Sequence, residues 1–143
     1  MADGHRDYSG TPLWRKLGIR EGARVLPVRE PASFRRSLEA LSPLPAGVRF
    51  LSRATKDVDV AVLFATRRHE LEERFGILAA AMRPDGRLWV AWPKKAANVP
   101  TDLTFGVVQR HGLDAGLVDN KTASIDEVFQ ACQFVARVKD RPR

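Results

Sequence analysis

Only one cysteine, Cys132, stands among the 143 residues. It can form neither an internal disulfide nor a cysteine-based zinc site, so a disulfide scaffold and a zinc ribbon are excluded and the reducing cytoplasm is the expected compartment. Inside a strand-like segment it reads as a small buried thiol. Long apolar runs are missing too. Residues 58–66 are interrupted by Asp59 and fall far short of the roughly 20 residues that cross a bilayer, so no membrane partner is expected. The first ten residues carry Asp3, His5, Arg6 and Asp7 without an apolar signal-peptide core, and secretion is not expected. His5, His69 and His111 lack metal-ligand spacing, so no metal is expected. Ser9 and Ser124 have no identifiable base partner, which leaves a nucleophilic triad without support. No catalytic residue can be named.

The composition, 44% hydrophobic and 29% charged, is that of one globular domain. We expect a tail at residues 1–7, a single α/β domain over 8–138 and a basic tail at 139–143. The net charge of +7 raises the question of an acidic partner, nucleic acid included. Its distribution argues against a basic interface on the domain. Residues 1–24 hold five cations and three anions, and residues 137–143 hold four cations and one anion. The 112 residues between carry 15 cations against 13 anions. Most of the excess sits at the ends, so nucleic acid is not the favoured partner.

Periodicity organises the rest. A short helix begins near Thr11-Pro12 and stops at Gly18, with Leu13, Trp14 and Leu17 on one side. Residues 23–28 form a strand that should fray at Pro27, because proline cannot donate to a ladder. Phe34, Leu38 and Leu41 lie on one face of a helix over residues 31–41. A short strand at 48–52 precedes residues 58–65, whose unbroken apolar character points to a strand buried on both faces of a parallel sheet. Thr66 caps a helix to Met82 with Leu71, Phe75 and Leu78 inward. After the turn Pro84-Asp85-Gly86 comes the strand 87–92. Thr101 or Asp102 then caps a helix that Gly112 ends. Residues 117–124 and 128–138 are two strands whose short link makes them antiparallel. This order predicts a three-layer, Rossmann-like α/β fold, with a mostly parallel sheet of about six strands and a C-terminal antiparallel hairpin.

Residues 58–95 resemble the second half of a class I methyltransferase: a strand led by Asp57-Val58-Asp59-Val60, a helix, the turn Pro84-Asp85-Gly86, and Arg87-Leu88-Trp89-Val90-Ala91-Trp92-Pro93. Four further motifs together resemble an uncharacterised family of small bacterial proteins: Tyr8-Ser9-Gly10-Thr11-Pro12-Leu13 with Lys16-Leu17-Gly18-Ile19, Trp89-Val90-Ala91-Trp92-Pro93-Lys94-Lys95, Thr101-Asp102-Leu103-Thr104, and Gly116-Leu117-Val118-Asp119-Asn120-Lys121. In methyltransferases of this class a glycine-rich loop after the first strand admits S-adenosylmethionine, and an acid ending the second strand holds its ribose. Here Arg29-Glu30-Pro31-Ala32-Ser33 follows the first strand and the second ends at Ser52-Arg53. The link to residues 58–65 is also too short for the helix and strand that usually intervene. The resemblance therefore implies the fold without the usual cofactor site, and no cofactor is expected.

Ligands of open α/β sheets bind beyond the carboxyl ends of the strands. Those ends deliver Arg29, Arg53, Arg67 and Arg68, then Trp92, Lys94 and Lys95, while Asp57, Asp59 and Asp85 precede strands and fall at the opposite edge. Arg29, Arg53, Arg67, Trp92, Lys94 and Lys95 are the expected ligand-binding set, diluted by Glu30 and Asp126, and would suit a phosphate, carboxylate or nucleotide. The leading expectation is a non-catalytic methyltransferase-like domain that binds an anionic small molecule or a protein partner there. A nucleic-acid binder and a methyltransferase with a degenerate cofactor loop are the alternatives. Trp14 reads as packing on the sheet rather than as a clamp with Tyr8. Asp119-Asn120-Lys121 resembles part of a guanine-recognition motif but, without a phosphate-binding glycine loop, reads as a hydrogen-bonded strand feature. Oligomeric state is not legible.

Overall fold

A computed structural model describes residues 10–140. The tail expected at 1–7, Tyr8 and residues 141–143 of the basic end lie outside the described residues. The chain runs α1 (Leu13–Lys16), β1 (Arg24–Val28), α2 (Phe34–Leu38), β2 (Arg49–Phe50), β3 (Val58–Phe64), α3 (Arg68–Ala81), β4 (Met82–Pro93), α4 (Phe105–Asp114), β5 (Leu117–Ser124) and β6 (Phe129–Ala136). The strands form one six-stranded sheet in the order β2-β1-β3-β4-β6-β5. The first four are parallel, whereas β6 runs antiparallel to both β4 and β5. This is the three-layer α/β arrangement expected from the alternation of elements.

Strand alternation divides the core. Ala61, Leu63, Leu88, Val90, Trp92 and Phe134 meet Leu71, Phe75 and Leu78 of α3 and Val108 of α4. Val60, Val62, Phe64, Trp89 and Ala91 meet Leu13, Leu17, Phe34 and Leu38 from the α1 and α2 side. β3 contributes to both faces and is buried almost throughout, as its apolar run required.

Several boundaries differ from expectation, each for a local reason. β1 does not fray at Pro27 but continues to Val28, paired with β3. The neighbour β2 is what stops. Leu51 N–H still donates to the Val25 carbonyl, but the next parallel ladder bond would need an N–H from Pro27, which has none. α2 closes at Leu38, and Leu41 is 58% exposed rather than inward. Pro43 and Pro45 keep the chain from continuing as helix there, and Leu44 N–H donates to the Glu39 carboxylate at 3.3 Å. Gly112 lies inside α4 instead of ending it. A Cβ at that point would overlap the Phe134 ring, so the glycine serves close helix–sheet packing, and the turn out of α4 falls at Gly116 with φ +91°. The predicted turn at 84–86 is a bulge within β4, where the register slips between Val58/Met82 and Val60/Arg87.

Candidate functional site

β1 and β3 are neighbours whose connections leave to opposite faces, β1 into α2 and β3 into α3, so the crevice of the fold opens between their carboxyl ends. A carboxylate stands in it. Glu70 accepts hydrogen bonds from Thr66 N–H at 2.8 Å and Arg67 N–H at 3.2 Å, receives the Thr66 hydroxyl at 3.4 Å, and is paired with the Arg29 guanidinium. The expected cap, Thr66, is thus replaced by Arg67 as N-cap, with Glu70 reaching back from the first turn to satisfy the unpaired amides. Burial raises the Glu70 pKa, but the Thr66 and Arg67 amides, then the charges of Arg29 and His69, outweigh it and hold the carboxyl below its usual range.

Arg29 reaches Glu70 from a left-handed backbone, φ +59°, at the point where β1 gives way to Glu30-Pro31. Arg53 is exposed in the link after β2, and Arg67 is exposed at the N-cap of α3. The carboxyl edge divides beyond this point. Trp92 is only 3% exposed and packs against Phe105, with ring centroids 6.4 Å apart, so its indole belongs to the core. Lys94 is tied to the hairpin, donating to Ser124 Oγ at 2.7 Å and to the Asp126 carbonyl at 2.6 Å. Lys95 opens a short 3-10 turn and is exposed. Arg68 offers its backbone N–H to Asp102 at 2.8 Å, and the Thr101 hydroxyl donates to the Thr66 carbonyl at 2.6 Å. The Thr101-Asp102 pair therefore latches two carboxyl-edge loops together, while Thr104 caps α4.

Arg29 and Arg53 do share a concavity. A cavity of about 260 Å³ lies between the ends of β1 and β2 and the outer part of α3, lined by Arg29, Arg53 and Arg74 with Ser52, Ile77 and Leu78. Among the described residues no acid lines it. Arg74 was not among the expected site residues. Its signal was the spacing Glu70, Arg74, Leu78, which places it on the helix flank that faces the crevice. The three guanidiniums can offer forked donors to a phosphate or carboxylate.

Asp59 and Asp85 lie at the opposite edge, as expected, but among cations. Asp59 accepts the Arg24 backbone N–H at 2.8 Å and pairs with Arg83 at 3.5 Å, and Asp85 pairs with the same guanidinium at 3.7 Å. Among the described residues no cluster of His, Cys, Asp and Glu could hold a metal, and no helix is long and apolar enough to cross a membrane. Cys132 is fully buried, and burial, with Asp119 adding to it, pushes its thiol up to about 12. The native protein should therefore resist thiol-directed alkylation at pH 8 and label fully once unfolded in guanidinium. Rapid labelling of the native state would contradict this burial.

These residues do not fit S-adenosylmethionine held in the usual way. Pro31 and Arg29 stand where a glycine loop would bring the backbone close, the Arg29–Glu70 pair occupies the crevice, and Arg53, a donor without acceptor capacity, replaces the acid that would receive ribose hydroxyls. No family model matches the chain, and no curated protein matches it in sequence. Solved structures do. A TehB-like SAM-dependent methyltransferase from Corynebacterium glutamicum matches with a TM-score of 0.51 at 14% identity over 82% of each chain. LepI in complex with SAM matches at 0.53 and 14% over 88% of this chain but only 47% of its own, so this chain spans about half of LepI. A SAM dependent methyltransferase from Aquifex aeolicus matches at 0.58 and 17% over 85% of this chain and 86% of its own. The chain thus has the Rossmann-like α/β fold of SAM-dependent methyltransferases, with a six-stranded mixed sheet that ends in antiparallel strands.

Proposed function

We propose that this protein is a non-catalytic methyltransferase-like domain that binds an anionic small molecule at the carboxyl edge of its sheet. The supporting observation is the cavity framed by Arg29, Arg53 and Arg74, with no acid among its described lining residues. Glu70 takes up part of the Arg29 charge, so Arg53 and Arg74 carry most of the attraction, with Arg67 at the rim. Trp92 and Lys94 serve the proposal indirectly, by packing and bracing the neighbouring loops. Lys95 remains an exposed cation at the same edge. We also infer kinship with the uncharacterised bacterial family named above, and a cytoplasmic setting.

Isothermal titration with inorganic phosphate at low ionic strength tests this reading. Arg53→Ala/Arg74→Ala is expected to weaken phosphate binding about tenfold or more, since each lost charge-assisted bond contributes 1 kcal/mol or more. Both side chains are exposed, so the variant should keep its melting temperature. Unchanged affinity in a folded variant would remove the site. The likeness to SAM-bound proteins favours the methyltransferase alternative, and it predicts stabilisation by S-adenosylhomocysteine. A thermal shift with that compound would replace the anion reading.

A further inference from the structure

The amino edge of the sheet carries a second cationic cavity that the proposed function does not use. It measures about 430 Å³ and is lined by Arg15, Arg20, Arg87 and Lys121, with Trp14 as an apolar wall and Glu21 as the one acid among the described residues. None of Arg15, Arg20 and Lys121 forms an ion pair with a carboxylate among the described residues. Arg15 instead lies over the Trp14 ring, 5.4 Å from its centre.

The cavity is built rather than incidental. Gln133 is 1% exposed, a buried amide with both ends used: its Oε1 accepts from Arg87 Nη1 at 3.0 Å and its Nε2 donates to Asn120 Oδ1 at 2.7 Å. A buried amide that costs solvation must have its bonds satisfied, and here it holds a guanidinium without neutralising it. Asn120 is the extra residue of a bulge in β5. The register passes from Asp119/Phe134 to Lys121/Gln133, which brings Lys121 opposite Gln133 and so to the cavity side. Gly18 completes the frame. Its φ is +83°, and a Cβ there would overlap the Arg87 side chain, so the glycine leaves the space through which that side chain runs. The segments Lys16-Leu17-Gly18-Ile19 and Gly116-Leu117-Val118-Asp119-Asn120-Lys121, which the sequence singles out and the carboxyl edge leaves unused, meet at this point.

Among the described residues, four cations against one acid, with Arg87 held by a neutral amide, give the cavity a net positive charge that favours an anion. Three guanidiniums and an ammonium suit the oxygens of a phosphate group. The volume exceeds that of phosphate alone and leaves room for an organic part against Trp14 and Ile19. We propose that the amino-edge cavity is a binding site for a small phosphate ester, separate from the carboxyl-edge site.

Titration with ADP, inorganic pyrophosphate and an oligothymidylate lacking terminal phosphates tests this on the full chain. Arg20→Ala/Lys121→Ala removes two exposed cations and is expected to weaken ADP and pyrophosphate binding about tenfold or more. Arg53→Ala/Arg74→Ala should leave this component intact, so each site stands or falls by its own variant. ADP affinity that is unchanged in a folded Arg20→Ala/Lys121→Ala protein, or absent in the wild type, overturns the proposal. Equal or tighter binding of the oligothymidylate, lost in the same variant with a steep salt dependence, overturns it in favour of a nucleic-acid surface.

Discussion

Trp89→Ala is expected to lower the free energy of unfolding by about 3–5 kcal/mol, a large part of the 5–15 kcal/mol typical of such domains. Trp89 is fully buried in the middle of β4, beside Val62 and Gln133 in register. Its loss leaves a cavity on the α1 and α2 face. It also strands a carbonyl, because the indole N–H donates to the Leu17 oxygen at 2.9 Å and so pins the end of α1 to the sheet. Trp89→Phe retains most of the packing without that donor and should cost about 1–3 kcal/mol. Urea denaturation monitored by far-ultraviolet circular dichroism separates the two. An Ala variant within 1 kcal/mol of wild type would show that the indole is not a central support of this face.

Glu70→Ala should destabilise the protein by about 2–3 kcal/mol, because it leaves the Thr66 and Arg67 amides at the start of α3 without their acceptor. The Arg29 partner adds little, since its side chain is 51% exposed and solvent screens the pair. The same carboxylate predicts a pH dependence. Its pKa is lower in the folded protein than its ordinary value of 4.5. The contribution is therefore complete above 4.5 and is lost as the pH falls through the lower folded value. Glu70→Gln should be less stable than wild type at neutral pH, and the two curves should converge in acid. Parallel curves from pH 7 to 3 would mean that the charge of Glu70 contributes nothing.

The candidate site was legible only in part. Strand ends placed Arg29, Arg53 and Arg67 at one edge because a parallel sheet sends every carboxyl end the same way. The same logic could not see that Trp92 turns into the core or that Lys94 is bound by the hairpin, since both depend on the side of the sheet that α4 and the β5–β6 turn occupy. In the sequence Glu70 and Arg74 fall on the polar, solvent side of α3; Arg74 is exposed, but Glu70 is buried, because Arg29 approaches it from another part of the chain. The run Asp119-Asn120-Lys121 reads as a hydrogen-bonded strand feature, and Asn120 Oδ1 accepts from Gln133 Nε2. Its place in a bulge had no local signal.

By itself the sequence determined the α/β order of elements, the buried central strand, the antiparallel end and the missing glycine loop, because these follow from periodicity, chain length and residue type at single positions. Only the tertiary structure decided which charges remain available. Glu70 meeting Arg29, Gln133 holding Arg87, and Gly18 and Gly112 making room for Arg87 and Phe134 all join residues far apart in the chain. Such pairs are set by the register and packing of elements already formed, and that information is carried by no single stretch of sequence.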